Sequence, residues 1–374
     1  MSYVMNTKNQ LNDKTIEIFK SEDNKYKEEN MKKYQGIFLC MVIFTSIIFL
    51  TSWIWQKEQV AEKTFPVLKG DYLGQSPPGM MPEIFAPGIA STGYNEHIAM
   101  FTPDGKELYF RILGAPHSVI LFMKEEKGRW TKPQVAPFSG KYSAKCSLSP
   151  DGNKIAISMG SPLDGKGAPK ENWQIWIAER TDAGWGEPKN LGSPVNSENY
   201  SVAYPTLSTN GNLYFYSENH KGGKGKGDIW MSKFADGRYT DLENLGDAIN
   251  TEFGEVDPFI APDESYLIFI SNRPGGYGNT DIYISFRKKD GFWTKAENMG
   301  DKINTKAGAG CPSVSPDGKY LFFSSNRTIH KNYSETPITY EEKIKILNSP
   351  GNGSEDIYWV NAKIIEELKS VKLK

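Results

Sequence analysis

Glu96, Lys145, Glu255 and Asp257 stand where a repeated strand is expected to be apolar, as Phe101, Leu148, Leu207, Ile260 and Val314 are a few residues on. Two carboxylates flanking a bond can supply acid–base chemistry to a glycoside. A carboxylate beside an ammonium can instead fix a polar ligand, or form a structural ion pair in a solvated channel. Aligned by the turns that follow, the repeats place Glu96 and Glu255 at one level. Lys145, Tyr204 and Asp257 come two residues deeper, with Ile98 and Cys311. Glu96, Lys145, Tyr204, Glu255 and Asp257, with His97 and Arg273, form the candidate ligand-binding set. Arg273, in Asn272-Arg273-Pro-Gly-Gly, also reads as turn chemistry, in which the Asn side chain bonds local backbone.

No catalytic residue, metal or cofactor is assigned. The four histidines, His97, His117, His220 and His330, fall in different repeats without a recurring ligand spacing. The three cysteines, Cys40, Cys146 and Cys311, form neither a disulfide framework nor a zinc pattern. The basic glycine-rich stretches GKGAPK and HKGGKGKGD lack Walker spacing and lead into no helix, so solvated loops are expected. GNGSED lacks the register of an EF-hand calcium loop.

The elements that must position these residues repeat. Five segments align: MFTPDGKELYF, SLSPDGNKIAI, TLSTNGNLYFY, FIAPDESYLIF and SVSPDGKYLFF, with anchors at Thr102, Ser149, Ser208, Ala261 and Ser315. Each is a strand end, a polar turn and a second strand. Pro sets φ, Asp accepts the turn amides and Gly takes a positive φ. A third strand follows in each unit (SVILFM, WQIWIA, DIWMS, DIYIS, DIYWV) and a fourth near an aromatic in the first four. Residues 82–97 line up with 242–257, a fourth strand running into a first, so the missing fourth strand of the last unit lies at the start. The expected fold is all-β, a five-bladed β-propeller closed by an N-terminal strand. A six-bladed ring would need another such hairpin, and none is found. Closure matters because an open radial array leaves an unpaired edge. Asp228, Asp281 and Asp356 open the third strand three times, which argues for a structural cap.

Over residues 82–362 these repeats resemble the WD-like propeller repeats with a Pro-Asp-Gly signature found in TolB-type periplasmic proteins. The resemblance implies a propeller. It spans partner-binding proteins, sensors, peptidase propellers and lyases, and so selects no activity. The nucleophile elbow Gly-x-Ser-x-Gly of the peptidase relatives is absent from this sequence, and four scattered histidines do not match the metal site of the lyases.

Residues 36–55 are twenty residues without a charge, long enough to cross a bilayer as a helix. Lys25, Lys27, Lys32 and Lys33 precede them and Trp53 and Trp55 lie at the far end, which places the N-terminus inside and the rest outside. An uncleaved transmembrane helix is expected, with a cleaved signal as the alternative. The expected organisation is 1–35 as a cytoplasmic or upstream segment, 36–55 as the anchor, 56–79 as a linker, 80–362 as the propeller and 363–374 as a tail.

A net charge of −1 gives no reason to expect nucleic acid. The expected function is a non-catalytic module binding a protein or saccharide on the face that carries the loops between second and third strands, including 272–280 and 326–355. The alternative is a carbohydrate-active enzyme, a lyase or glycoside hydrolase, with Glu96, Glu255 or Asp257 as acid–base residues.

Overall fold

The computed structural model describes residues 65–114, 117–139, 143–160, 172–330 and 337–372, together with Met31 and Met41. Except for Met41, the segment 36–55 lies outside the described residues, and so does the question of an anchor. Among the described residues no helix is long and apolar enough to cross a membrane. The chain divides into two units, Met1–Pro66 and Val67–Lys374, and every described strand belongs to the second.

Five antiparallel sheets make a five-bladed propeller. The innermost strands, in blade order I to V, are Asn95–Phe101, Ser143–Leu148, Ser201–Leu207, Glu255–Ile260 and Ala309–Val314. In blade I the sheet continues outward through Glu107–Leu113, Val119–Glu126 and the short Gln134–Val135. Blades II to IV repeat the order. Blade V takes its fourth strand from the other end of the chain: Glu83–Ile84 pairs antiparallel with Asp356–Asn361, Glu83 opposite Trp359 and Ile84 opposite Tyr358. The ring is therefore closed by the strand expected from residues 82–87.

The turns form as their chemistry dictates. In blade I the Asp104 carboxylate accepts the Thr102 hydroxyl at 2.6 Å and the Lys106 amide at 3.0 Å, and Gly105 sits at φ +70°. Asp151 and Asp317 serve blades II and V in the same way. Blade IV departs from the pattern. Glu264 takes the left-handed position at φ +59°, its carboxylate held by Asn212 at 2.7 Å and by Arg287.

Apolar clusters fill four of the gaps between blades; Leu213, Phe215, Ile175 and Trp230, for example, join blades II and III. The gap between blades V and I is aromatic. Phe85 lies 5.2 Å from Phe322 and from Trp359, and Phe101 lies 5.9 Å from Phe322. Tyr72 enters the same cluster, 5.0 Å from Phe101 and 4.9 Å from Tyr320, and its hydroxyl donates to Asp317 at 3.0 Å. The Trp130 amide and indole N–H donate to Leu68 and Gly70 carbonyls. The part of the expected linker from 68 to 75 thus lies against blades I and V. Its anchoring residue, Tyr72, belongs to no repeat, so no alignment of repeats could reveal it.

Among the described residues of the second unit there are two α-helices. Helix α1 (Tyr340–Leu347) lies in the long fifth-unit loop and begins with a capping box between Thr339 and Glu342. Helix α2 (Lys363–Lys372) follows the last strand and buries Ile364 and Ile365 against the core of blades IV and V.

Candidate functional site

Every innermost strand carries a register shift at the same place: between His97 and Ala99, Ser143 and Cys146, Ala203 and Thr206, Val256 and Phe259, and Gly310 and Ser313. Ile98, Tyr204, Asp257 and Cys311 occupy these bulges with φ between +46° and +64°. A β-bulge breaks the alternation of side chains and re-aims the residue it holds. Proline follows three of them, at Pro205, Pro258 and Pro312. It can offer no amide to the ladder, so it suits a bulge and not a paired position.

The bulges bring a polar chain together at one level of the central channel. Lys145, 5% exposed, points its Nζ to Asp257 Oδ1 at 3.3 Å and lies 5.7 Å above the ring of Tyr204. Asp257 Oδ2 accepts the Cys311 amide and thiol, each at 3.3 Å. The Cys311 Sγ is 3.5 Å from His97 Nδ1, and His97 Nε2 bonds the Glu355 carboxylate. Burial lowers the His97 pKa, but the Cys311 sulfur and the Glu355 carboxylate outweigh it and hold the imidazole up to about 10. Burial, then Asp257, pushes the Tyr204 phenol well above its ordinary range.

Beneath this chain lies a cavity of about 230 Å³, lined by the innermost strands of all five blades. Lys145 and Cys311 border it, and it extends past Leu148, Leu207 and Val314 to the turn prolines Pro103, Pro150 and Pro316. It therefore reaches toward the turn face, whereas binding is expected on the loop face. Arg111 is the cross-strand partner of His97, and its Nε is buried without a hydrogen-bond partner. Among the described residues no carboxylate forms an ion pair with Arg111.

Of the seven residues read from the sequence, His97, Lys145, Tyr204 and Asp257 gather here. Glu96, Glu255 and Arg273 do not. Glu255 is fully buried, accepting from Thr251, Ser271 and Arg273. Arg273 also donates to the Ile249 carbonyl and lies 4.7 Å above the Tyr283 ring. Glu96 is fully buried and accepts the Thr92 amide at 3.1 Å and the Thr92 hydroxyl. Placing both glutamates at the channel mouth assumed unbroken strand alternation, and the bulge between the two levels ends it. Cys311, Glu355 and Arg111 were not read as site residues. The residue–Pro pairs at one register in three strands are the signal that marks Cys311; nothing comparable marks Glu355, which lies at the end of a long loop. Among the described residues no group of three or more His, Cys, Asp and Glu side chains is arranged to hold a metal ion.

No family model matches the chain, and no curated protein does. Solved structures similar to it include a putative TolB from Agrobacterium tumefaciens, 19% identical with a TM-score of 0.43, the match covering 72% of this chain and 90% of that one. TolB from Acinetobacter baumannii is 13% identical with a TM-score of 0.43, over 72% of this chain and 57% of its own. An alpha-L-arabinofuranosidase from Lactobacillus brevis is 13% identical with a TM-score of 0.40, over 72% and 91%. At these identities and scores, neighbours of such different activities assign this chain neither a family nor a ligand.

Proposed function

We propose that the ring is a non-catalytic binding module, displayed outside the cytoplasmic membrane by the charge-free segment 36–55, which takes a narrow anionic part of a protein or saccharide partner into its channel. One observation carries this reading. Lys145 with Asp257 and His97 with Glu355 pair off at the channel head, whereas Arg111 brings a charge that no described carboxylate meets. A guanidinium without a carboxylate partner, across the strand from His97 at the channel head, suits a carboxylate at the end of a slender ligand. The engagement of Glu96 and Glu255 by threonine hydroxyls and amides favours binding over acid–base catalysis, because neither carboxylate faces the cavity.

The test uses two probe panels, uronate-containing and neutral oligosaccharides, and peptides with free and amidated C-termini, read by calorimetry. Acidic members of one panel bind and neutral ones do not. Arg111→Gln weakens the hit by roughly 10- to 100-fold, the equivalent of a charge-assisted hydrogen bond. Leu207→Trp, which fills the cavity, abolishes it. Binding indifferent to both substitutions would overturn the reading.

A further inference from the structure

The ring holds two free cysteines in unlike surroundings. Cys146 packs with Ile155, Ile157 and Trp176, and burial pushes its thiol up to about 12. Cys311 instead sits on a bulge at φ +46°, borders the channel cavity and has an imidazole 3.5 Å from its sulfur. The far nitrogen of that imidazole is fixed by Glu355. Nucleophile, proton partner and orienting carboxylate in series are the arrangement that activates a thiol.

We propose that Cys311 is a nucleophilic thiol that takes acyl groups from small esters or thioesters entering the channel, with His97 as its proton partner and Glu355 positioning His97. The inference stands on the geometry around Sγ and needs no particular binding partner, so it and the binding reading can fail separately.

The step balances within the site. With Glu355 on Nε2–H, His97 Nδ1 holds the proton given up by the thiol as Sγ attacks the acyl carbon. The S–C bond forms, and the bond from that carbon to the alkoxide or thiolate breaks. The imidazolium returns its proton to the departing group, leaving S-acyl Cys311, which water can hydrolyse. The neighbours act in both directions. Asp257 opposes a thiolate across 3.3 Å, while Lys145, paired with the other Asp257 oxygen, offsets it and borders the cavity where an oxyanion would develop. Tyr204 and Arg111 complete the surrounding polar groups.

The full chain is mixed with p-nitrophenyl acetate, and the acetyl group is located by peptide mass spectrometry. A stoichiometric burst of p-nitrophenolate, with acetyl on Cys311, is expected. Cys311→Ala removes the burst and Cys146→Ala keeps it. His97→Gln slows acylation by about 10²–10³, and Glu355→Gln moves the pH profile of the acylation rate, which a purely structural role would not. Acetyl on Cys146, Cys40 or lysines instead, or a rate unchanged in His97→Gln, overturns the proposal. A measurement on the parent protein guards against variants that fail to fold. Iodoacetamide should alkylate native Cys311 far faster than native Cys146 at neutral pH, and equal rates overturn the proposal equally.

Discussion

Glu96 and Glu255 occupy equivalent places in blades I and IV, each accepting from a threonine four residues earlier, yet their surroundings differ by one cation. Glu255 has Arg273 at 3.0 Å. Glu96 has no described lysine or arginine, only the field of the neighbouring His97, and its charge acts on Asp356, a second fully buried carboxyl. Burial raises both; for Asp356 the Gly351 amide pulls the other way, Glu96 adds to the rise, and the carboxyl is pushed up to about 7. An unfolded aspartate titrates near 4, so between about pH 4 and 7 the folded chain holds the extra proton. Stability from this group is full below that window and is lost as pH rises through it. Asp356→Asn is expected to melt level with the parent near pH 4 and a few degrees above it at pH 8, by calorimetry at several pH values. A difference that stays constant across that range would refute the coupling. The pairing was beyond the reach of sequence reading, because it joins a first strand to a third strand from opposite ends of the chain. Lys145, Tyr204 and Asp257 could be brought to one level by counting from the turns. The direction of their neighbours could not, since a positive φ at a non-glycine residue leaves no trace in hydropathy.

At the scale of the element, the short fourth strands owe their placement to a side-chain clamp. Asn250 accepts the Ile229 amide at 2.8 Å and donates to the Ile229 carbonyl at 2.9 Å, standing in for a strand residue; Asn196 with Ile175 and Asn304 with Ile282 do the same. Asn244, six residues before Asn250, takes that amide's second bond and accepts from Gly246. At the ring closure Ser91 serves Ile357 with its hydroxyl alone. The repeated KNLG, ENLG and ENMG tracts were legible as fourth strands. The buried asparagine beyond them hides among loop residues, where asparagine is ordinary. Asn250→Ala leaves the buried Ile229 amide without its partner, while the carbonyl keeps its bond from the Leu245 amide, a loss of about 2 kcal/mol. Urea unfolding should show a lower midpoint with an unchanged slope; a midpoint within error of the parent would mean that water replaces the clamp. The Asp caps behave as read: Asp228 accepts the Lys224 and Gly225 amides, and Asp281 those of Tyr277 and Gly278.

Across the whole molecule, five units with one shared between the termini were readable because each polar turn between two apolar strands announces a hairpin, three of them as Pro-Asp-Gly, and residues 82–97 repeat a later tract. The aromatic seam that secures the shared blade was not, since Tyr72 and Phe85 precede the first full repeat. A chain beginning at Val67 should melt cooperatively, whereas one beginning at Gly93, without Tyr72 and the closing strand, should aggregate or melt far lower. Phe85→Ala, in the full chain, should cost about 3–5 kcal/mol. Equal melting of the two truncated chains would show that the seam adds nothing. The shared blade also ties the two ends to one event during synthesis. Residues 83–84 leave the ribosome before their partner, 356–361, has been translated, and at about 5–20 residues per second the wait is roughly 15 to 50 seconds. Until then the first strand has no partner, and a message truncated anywhere before codon 356 leaves it without one permanently. A single late nonsense lesion thus bares two unpaired edges, one at each end of the chain, where an open row of blades would bare only one.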